Sequence, residues 1–104
     1  HLVMAVLPGS YRLDLDRLGG LLGSGPVRLA TEEEFGPVFP DCEVGAMPPF
    51  GNLYGLEVWV DSALRSHPNM VFNAGTHEAT IQMSFADFAR LVQPKEGSFS
   101  VPRH

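Results

Sequence analysis

Cysteine and basic residues are scarce in this sequence. Among its 104 residues Cys42 is the single cysteine, and seven lysines and arginines stand against twelve aspartates and glutamates, which gives a net charge of −5. With one cysteine no intrachain disulfide can form, so nothing indicates secretion, and we expect a cytoplasmic protein. The basic residues are scattered and form no stripe, which disfavours DNA as a partner but leaves brief contact with an RNA end open.

Long apolar runs are also missing. No stretch approaches the length of a membrane span, and residues 1–7 lack the basic region of a signal peptide, so we expect no membrane partner. The sequence has no glycine-rich dinucleotide or phosphate loop. His67, His77 and Cys42 lack the spacing of metal ligands, and we therefore predict neither a metal nor a cofactor.

A nucleophile activated by histidine is conceivable, since Cys42, Ser10 and His77 are all present. Nothing in the sequence places these side chains together. An inert, partly buried thiol is therefore the favoured interpretation of Cys42.

The apolar residues are sufficient for one compact domain. They make up 44% of the chain and recur along its whole length, which is typical of a globular protein. Residues 2–7 form a short apolar run closed by Pro8 and Gly9, which predicts a buried strand. We assign residues 1–96 to the domain and residues 97–104 to a tail that is loose or accessory.

Capping residues mark the ends of two helices. Asp14 and Gly23 bracket leucines at helical spacing, and Ser84 and Pro94 bracket a second helical run. Because strands and helices interleave and the last two strands are hairpin-like, the sequence predicts a mixed α/β fold with helices packed on a mixed sheet. Helices are predicted over 15–22 and 85–92, and further strands over 27–30, 56–60, 70–73 and 80–83.

An acidic run begins a short third helix. Thr31 and Glu34 have the spacing of a capping box, and three consecutive glutamates in a first turn suit the helix dipole. We interpret the run as a solvated helix start; a metal or general-base site is the alternative.

Two loops that contain glycine are the candidate ligand sites. The segment 45–51, Gly-Ala-Met-Pro-Pro-Phe-Gly, is predicted to be a rigid, shaped loop, because its prolines exclude a helix or a regular strand. The segment 75–78, Gly-Thr-His-Glu, is predicted to be a turn. Glycine lets backbone N–H groups approach a ligand closely, and such groups can hold a developing oxyanion. The alternative is that both are ordinary tight turns.

The order of these segments resembles the YbaK/ProX (prolyl-tRNA synthetase associated) family of aminoacyl-tRNA editing domains. Residues 45–51 are similar to the family's G-x-x-P-F/L-G loop, residues 71–81 to its V-S-G-G-K-R-G-x-x-I turn, and residues 12–23 to its LDL…LG helix. The likeness runs from residue 1 to about residue 94. It implies a mixed β-sheet, partly barrel-like, with flanking helices.

The resemblance implies an aminoacyl-tRNA deacylase. Such an enzyme hydrolyses the ester of a mischarged tRNA, here a small amino acid on tRNA(Pro) or a similar tRNA, and contacts the tRNA at its acceptor end. His77 could act as a general base or hold the terminal ribose; an exposed turn histidine is the alternative. The expected catalytic residues are Gly75 and His77, and the expected substrate-binding residues are Gly45, Pro48, Pro49, Phe50, Gly51, Asp61, Asn73 and Thr76.

Departures from the family pattern keep a second function open. The family's catalytic lysine lies in a segment that precedes the part matched here, Asn73 and Ala74 replace a serine and a glycine, and Thr76 and His77 replace two basic residues. The alternative is therefore a catalytically degenerate module with the same fold that binds a ligand or a protein. Without the preceding strands, one sheet edge is expected to be unpaired. Either a longer parent protein supplies these strands or another chain covers the edge, and for this chain we expect a homodimer or poor solubility.

Overall fold

The computed structural model describes residues 2–23, 26–40, 42, 48–66, 69–73, 75 and 80–103. Strands and helices interleave along this part of the chain, as the sequence predicts. Its elements are β1 (Val3–Val6), β2 (Tyr11–Leu13), α1 (Leu15–Leu22), α2 (Glu32–Phe35), β3 (Glu57–Asp61), β4 (Asn69–Asn73), β5 (Thr80–Ser84), α3 (Phe85–Val92), β6 (Lys95–Gly97) and β7 (Ser100–Pro102), with short 3-10 turns at Gly36–Val38, Gly51–Tyr54 and Ser62–Ser66.

The described strands form three small sheets. A parallel sheet has the order β1-β3-β6, with Val6 opposite Val60. The hairpin β4-β5 is antiparallel, with Phe72 opposite Ile81, and β2 pairs with β7 in the same sense. The predicted mixed α/β class is confirmed, and the sheets of the described residues are not closed into a barrel.

Caps fix the two longer helices where the sequence predicts them. The Asp14 carboxylate accepts a hydrogen bond from the Arg17 backbone N–H at 3.1 Å, and α1 ends at Gly23 with φ +67°. The Ser84 hydroxyl oxygen accepts from the Asp87 N–H at 3.0 Å, and α3 ends at Gln93. No helix in the described part of the chain is long and apolar enough to cross a membrane.

The main core lies between β3, the hairpin β4-β5 and α3. Val58 and Val60 point into it from alternate positions of β3, and Phe88 of α3 is fully buried. Burial of these side chains is the main source of the domain's stability. The cluster consists of Val58, Val60, Leu64, Met70, Phe85, Phe88 and Val92.

Two sequence predictions fail. Residues 97–103 are not loose, because β7 pairs with β2 and Phe99 has no exposed surface; whether the domain itself ends at residue 96 stays a prediction. Residues 27–30 do not form a strand, since no described strand pairs with them and the side chain of Leu29 is 69% exposed. This segment is tied down instead by Arg28, whose guanidinium donates two hydrogen bonds to Glu34.

Candidate active site

The end of the proline-rich loop is anchored in the core. Pro49 is buried, and the ring of Phe50 meets the ring of Phe72 edge-on, with centroids 5.5 Å apart. On its other side the Phe50 ring contacts Phe88, at 5.8 Å. The loop therefore ends on a fixed support that joins α3 to the strand β4.

Gly51 has a packing role. A Cβ at this position would lie 3.0 Å from Val58 Cγ2, 3.2 Å from Met4 Sδ and 3.3 Å from Leu56 Cβ. Its carbonyl oxygen also accepts a hydrogen bond from the Leu56 N–H at 2.9 Å. Glycine is needed here because the chain passes close to β1 and β3; the expected contact of Gly51 with substrate stays a prediction.

The strand β4 leads directly to the second glycine-containing loop. Phe72 and Asn73 end the strand, and Gly75 follows in a buried position with φ +96°. Residues other than glycine rarely adopt this backbone conformation, so this position requires glycine. The Phe50–Phe72 contact therefore places the end of the loop 45–51 beside the strand that leads to Gly75. Gly45, Thr76 and His77 lie outside the described residues.

A cleft of about 540 Å³ lies beside these residues. Residues 4–6 of β1 and 69–72 of β4 are among those that line it. Within the described part of the chain, none of the lining side chains carries a charge. The lining residues are Met4, Ala5, Val6, Leu7, Pro8, Gly9, Ser10, Pro49, Leu64, Asn69, Met70, Val71 and Phe72.

Asp61 lies apart from this cleft. Its carboxylate accepts hydrogen bonds from the backbone N–H groups of Ala63 and Phe99, each at 2.8 Å, and the residue is 3% exposed. Burial raises the pKa of the carboxyl, but the hydrogen bonds from the two N–H groups, together with the nearby Ser100, outweigh it and leave the pKa below its ordinary value. Both oxygens are therefore engaged in the fold, and the expected substrate contact of Asp61 stays a prediction.

A second, larger cleft of about 910 Å³ lies on the opposite face of β1. Its floor is apolar, with Leu15, Leu18 and Leu22 of α1, and Arg28 and Glu34 stand at its edge. The hydrogen bonds from Arg28 are the largest cause of the low pKa of Glu34, about 2. None of the expected catalytic or substrate-binding residues that the structure describes lines this cleft.

Among the described residues, no group of three side chains could hold a metal ion. His67 and His77 are outside this part of the chain, so the expected absence of a metal stays a prediction. The Sγ of Cys42 lies 3.5 Å from the hydroxyl of Tyr54, whose ring packs on Phe39. This half-buried thiol fits the inert interpretation of Cys42.

Sequence reasoning missed Phe72 as a wall of the cleft. The residue is predicted to lie in a strand, but the sequence pattern of an apolar strand residue is the same whether its side chain faces the core or a cleft. Met70, Val71 and Phe72 are all apolar, so the sequence contains no alternation that shows which way Phe72 faces; only the structure shows Val71 exposed between them.

The geometry defines a class of protein. It is a mixed α/β domain in which a proline-rich loop packs against the strand that precedes a buried glycine with a left-handed backbone conformation. The family model of the aminoacyl-tRNA editing domain matches residues 1–91. The chain belongs to this family.

Relatives agree with this assignment. The multifunctional Ser/Thr-tRNA deacylase ProXp-y of Escherichia coli K12 is 30% identical over 98 residues, which are 93% of this chain and 58% of that protein. The proline–tRNA ligase of Pelobacter propionicus is 36% identical over 72 residues, 69% of this chain and 12% of the ligase. The chain thus spans little more than half the length of the E. coli relative.

A solved structure supports the fold. A scaffold protein used for epitope backbone grafting by computational design superposes with a TM-score of 0.83 at 22% identity, over 95% of this chain and 65% of its own. At this identity the likeness concerns the fold alone.

Proposed function

We propose that this domain hydrolyses the ester bond of a mischarged aminoacyl-tRNA. The observation that carries the proposal is the contact of Phe50 with Phe72, which holds the described end of the proline-rich loop, residues 48–51, against the strand leading to Gly75. Membership of the editing-domain family supports it. The partner is the acceptor end of the tRNA, and the place of action is the cytoplasm.

The reaction needs little covalent chemistry from the protein. Water adds to the ester carbonyl carbon, the bond from that carbon to the ribose oxygen breaks, and the ribose oxygen takes up a proton. Backbone N–H groups of the two glycine-containing loops would stabilise the carbonyl oxygen as it becomes negative. In this scheme His77 takes the proton from water or holds the ribose, and Asn73 and Thr76 bind the substrate.

The proposed substrate carries a small amino acid on tRNA(Pro) or a similar tRNA. The E. coli relative is named for Ser/Thr-tRNA, so serine and threonine join alanine and cysteine as amino acids to test. The cleft lined by Phe72 is mostly apolar and, among its described lining residues, uncharged, so it fits an uncharged side chain.

The test is a deacylation assay with purified protein. The 104-residue chain, and the longer protein if the coding sequence extends beyond it, are incubated with Ala-, Cys-, Ser- and Thr-charged tRNA. The expected result is release of the free amino acid faster than the buffer blank for at least one of them. No rate above the blank across the panel, from a protein that melts cooperatively, would overturn the proposal.

A degenerate binding module is the second candidate. The observation that favours it is the cleft itself, since none of its described lining side chains is titratable near neutral pH. This candidate predicts that a non-hydrolysable aminoacyl-adenosine amide raises the melting temperature while no ester is turned over. Multiple turnover with any aminoacyl-tRNA would exclude it.

We also propose that β1 joins two copies into a homodimer. Among the described strands β1 pairs with β3 alone, so its other edge presents unpaired backbone groups. Light scattering over a range of concentrations tests this, and a monomer at the highest concentration would contradict it.

A further inference from the structure

Three aromatic rings connect the buried face of helix α3 to the wall of the 540 Å³ cleft. Phe88 is fully buried in the core, Phe50 contacts it at 5.8 Å, and Phe72 contacts Phe50 at 5.5 Å. Of the three, only Phe72 lines the cleft. From this arrangement we infer that Phe72 is a specificity-determining residue that limits the size of the amino acid the site accepts.

The position of Phe72 in β4 aims its side chain inward. Met70 is buried and Phe72 is half-buried, whereas Val71 between them is 68% exposed. This alternation puts Met70 and Phe72 on the same face of the hairpin. Among the described lining residues Phe72 is the nearest in sequence to Gly75, so it lies on the strand that leads to the proposed reaction centre.

Phe72 is also the part of the wall least able to yield. The methionines Met4 and Met70 are unbranched and flexible, and can adapt to a ligand. An aromatic ring held edge-on by Phe50 cannot retreat without breaking that contact and the one behind it, between Phe50 and Phe88. A branched or long substrate side chain would therefore meet a fixed surface.

Charge sets a second limit on the substrate. The described lining holds polar atoms at Ser10 and Asn69 but no charged group. A charged amino acid side chain entering the cleft would lose water without gaining a partner of opposite charge. The inferred substrates are therefore aminoacyl esters whose side chains are both small and uncharged, an inference that rests on the proposed function.

The experiment compares Phe72→Leu and Phe72→Ala with the parent chain on tRNA charged with alanine, serine, valine and leucine. Both variants widen the cleft, so kcat/KM for the valyl and leucyl esters should rise relative to the alanyl ester by about tenfold or more, the discrimination that a few methylene groups provide in a pocket. Phe85→Leu is the matched control, since Phe85 belongs to the same core but does not line the cleft. It should leave the ratio unchanged.

A second readout separates this inference from the proposed function. Binding of alanyl, valyl and leucyl amides of 3′-amino-3′-deoxyadenosine is followed by thermal shift. If the parent hydrolyses esters but neither Phe72 variant changes the selectivity, the inference is wrong and the function stands. If the parent hydrolyses nothing but Phe72→Leu newly binds the larger amides, the function is wrong and the inference stands. If there is neither hydrolysis nor size-dependent binding, both are overturned.

Discussion

The carboxylate of Asp61, at the end of β3, accepts a hydrogen bond from the backbone N–H of Phe99, 38 residues later in the chain, at 2.8 Å. Its other oxygen accepts from the N–H of Ala63 and begins the 3-10 turn Ser62–Ser66. One side chain thus holds the segment before β7 against the parallel sheet, and Phe99 is fully buried as a result.

We expect Asp61→Asn to lower the free energy of unfolding by about 1–3 kcal/mol. The amide nitrogen of asparagine would face one of the two backbone donors, so a buried N–H would lose its acceptor. Urea denaturation measures the effect. Asp16→Asn is the control, because Asp16 is exposed in the first turn of α1, and it should change stability by less than about 0.5 kcal/mol. Equal effects of the two substitutions would contradict the role of Asp61.

The same carboxyl predicts a dependence on pH. Because the pKa of Asp61 is lower in the folded than in the unfolded chain, its contribution is complete above the unfolded pKa, near 3.8, and is lost as the pH falls through the folded pKa. The stability difference between the parent and Asp61→Asn should therefore shrink below about pH 4. A difference that stays constant down to pH 2 would count against this assignment.

Gly51→Ala should destabilise the domain by about 1–3 kcal/mol, because the added methyl group overpacks the space between Met4 and Val58. Gly20→Ala is the matched substitution. Gly20 lies in α1 with nothing within 4 Å of the added Cβ, so alanine should stabilise the helix by about 0.5–1 kcal/mol. Thermal denaturation of both variants measures the effect: the melting temperature should fall in Gly51→Ala and rise in Gly20→Ala, relative to the parent.

Arg28→Ala should raise the pKa of Glu34 from about 2 towards its ordinary value. The remaining hydrogen bond from the Thr31 N–H should keep it somewhat low. Carbon-13 NMR of the Glu34 carboxyl during an acid titration measures the shift. Arg90→Ala, which breaks the exposed pair with Asp87, should leave Glu34 unchanged. A Glu34 pKa that does not move in Arg28→Ala would refute the pairing.

His77→Ala should lower kcat/KM for the mischarged substrate by at least about tenfold, equivalent to about 1.4 kcal/mol, with little change in melting temperature. The expectation comes from the position of His77 in the turn after Gly75 and from the ability of imidazole to exchange protons near neutral pH. A variant as active as the parent would remove His77 from the proposed mechanism.

The longer elements could be predicted because their signals are local. Asp14 and Ser84 are side chains that cap the helix they precede, and Gly23 ends a helix by its own conformational freedom. Hydrophobic runs and alternation also located β1, β3 and the hairpin to within one or two residues at each end.

The missed elements depend on distant partners. β2 and β7 are three residues long and exist because they pair with each other across most of the chain, so neither shows a pattern of its own. Residues 27–30 have the composition of a strand, but none of the strands that the structure describes pairs with them. Composition alone does not show whether a short segment finds a distant strand to pair with, as β2 and β7 do, or finds none, as residues 27–30 do in the described part of the chain.

The candidate site was predictable only in part. Pro49, Gly51 and Gly75 could be singled out because proline and glycine restrict or release the backbone wherever they occur. The contact between Phe50 and Phe72, which brings the two loops together, joins residues 22 apart in sequence and depends on the packing of α3.

Deacylation of mischarged tRNA by the parent chain and Gly75→Ala, measured side by side under multiple turnover, tests the central claim most directly. Alanine is strained at φ +96°, so this variant should reshape the loop and lose most of the activity. The parent is expected to release a small amino acid from mischarged tRNA and to leave Pro-tRNA(Pro) intact. Its deacylation rate should be at least about tenfold higher than that of Gly75→Ala. No hydrolysis by the parent, or equal rates for the two proteins, would contradict it.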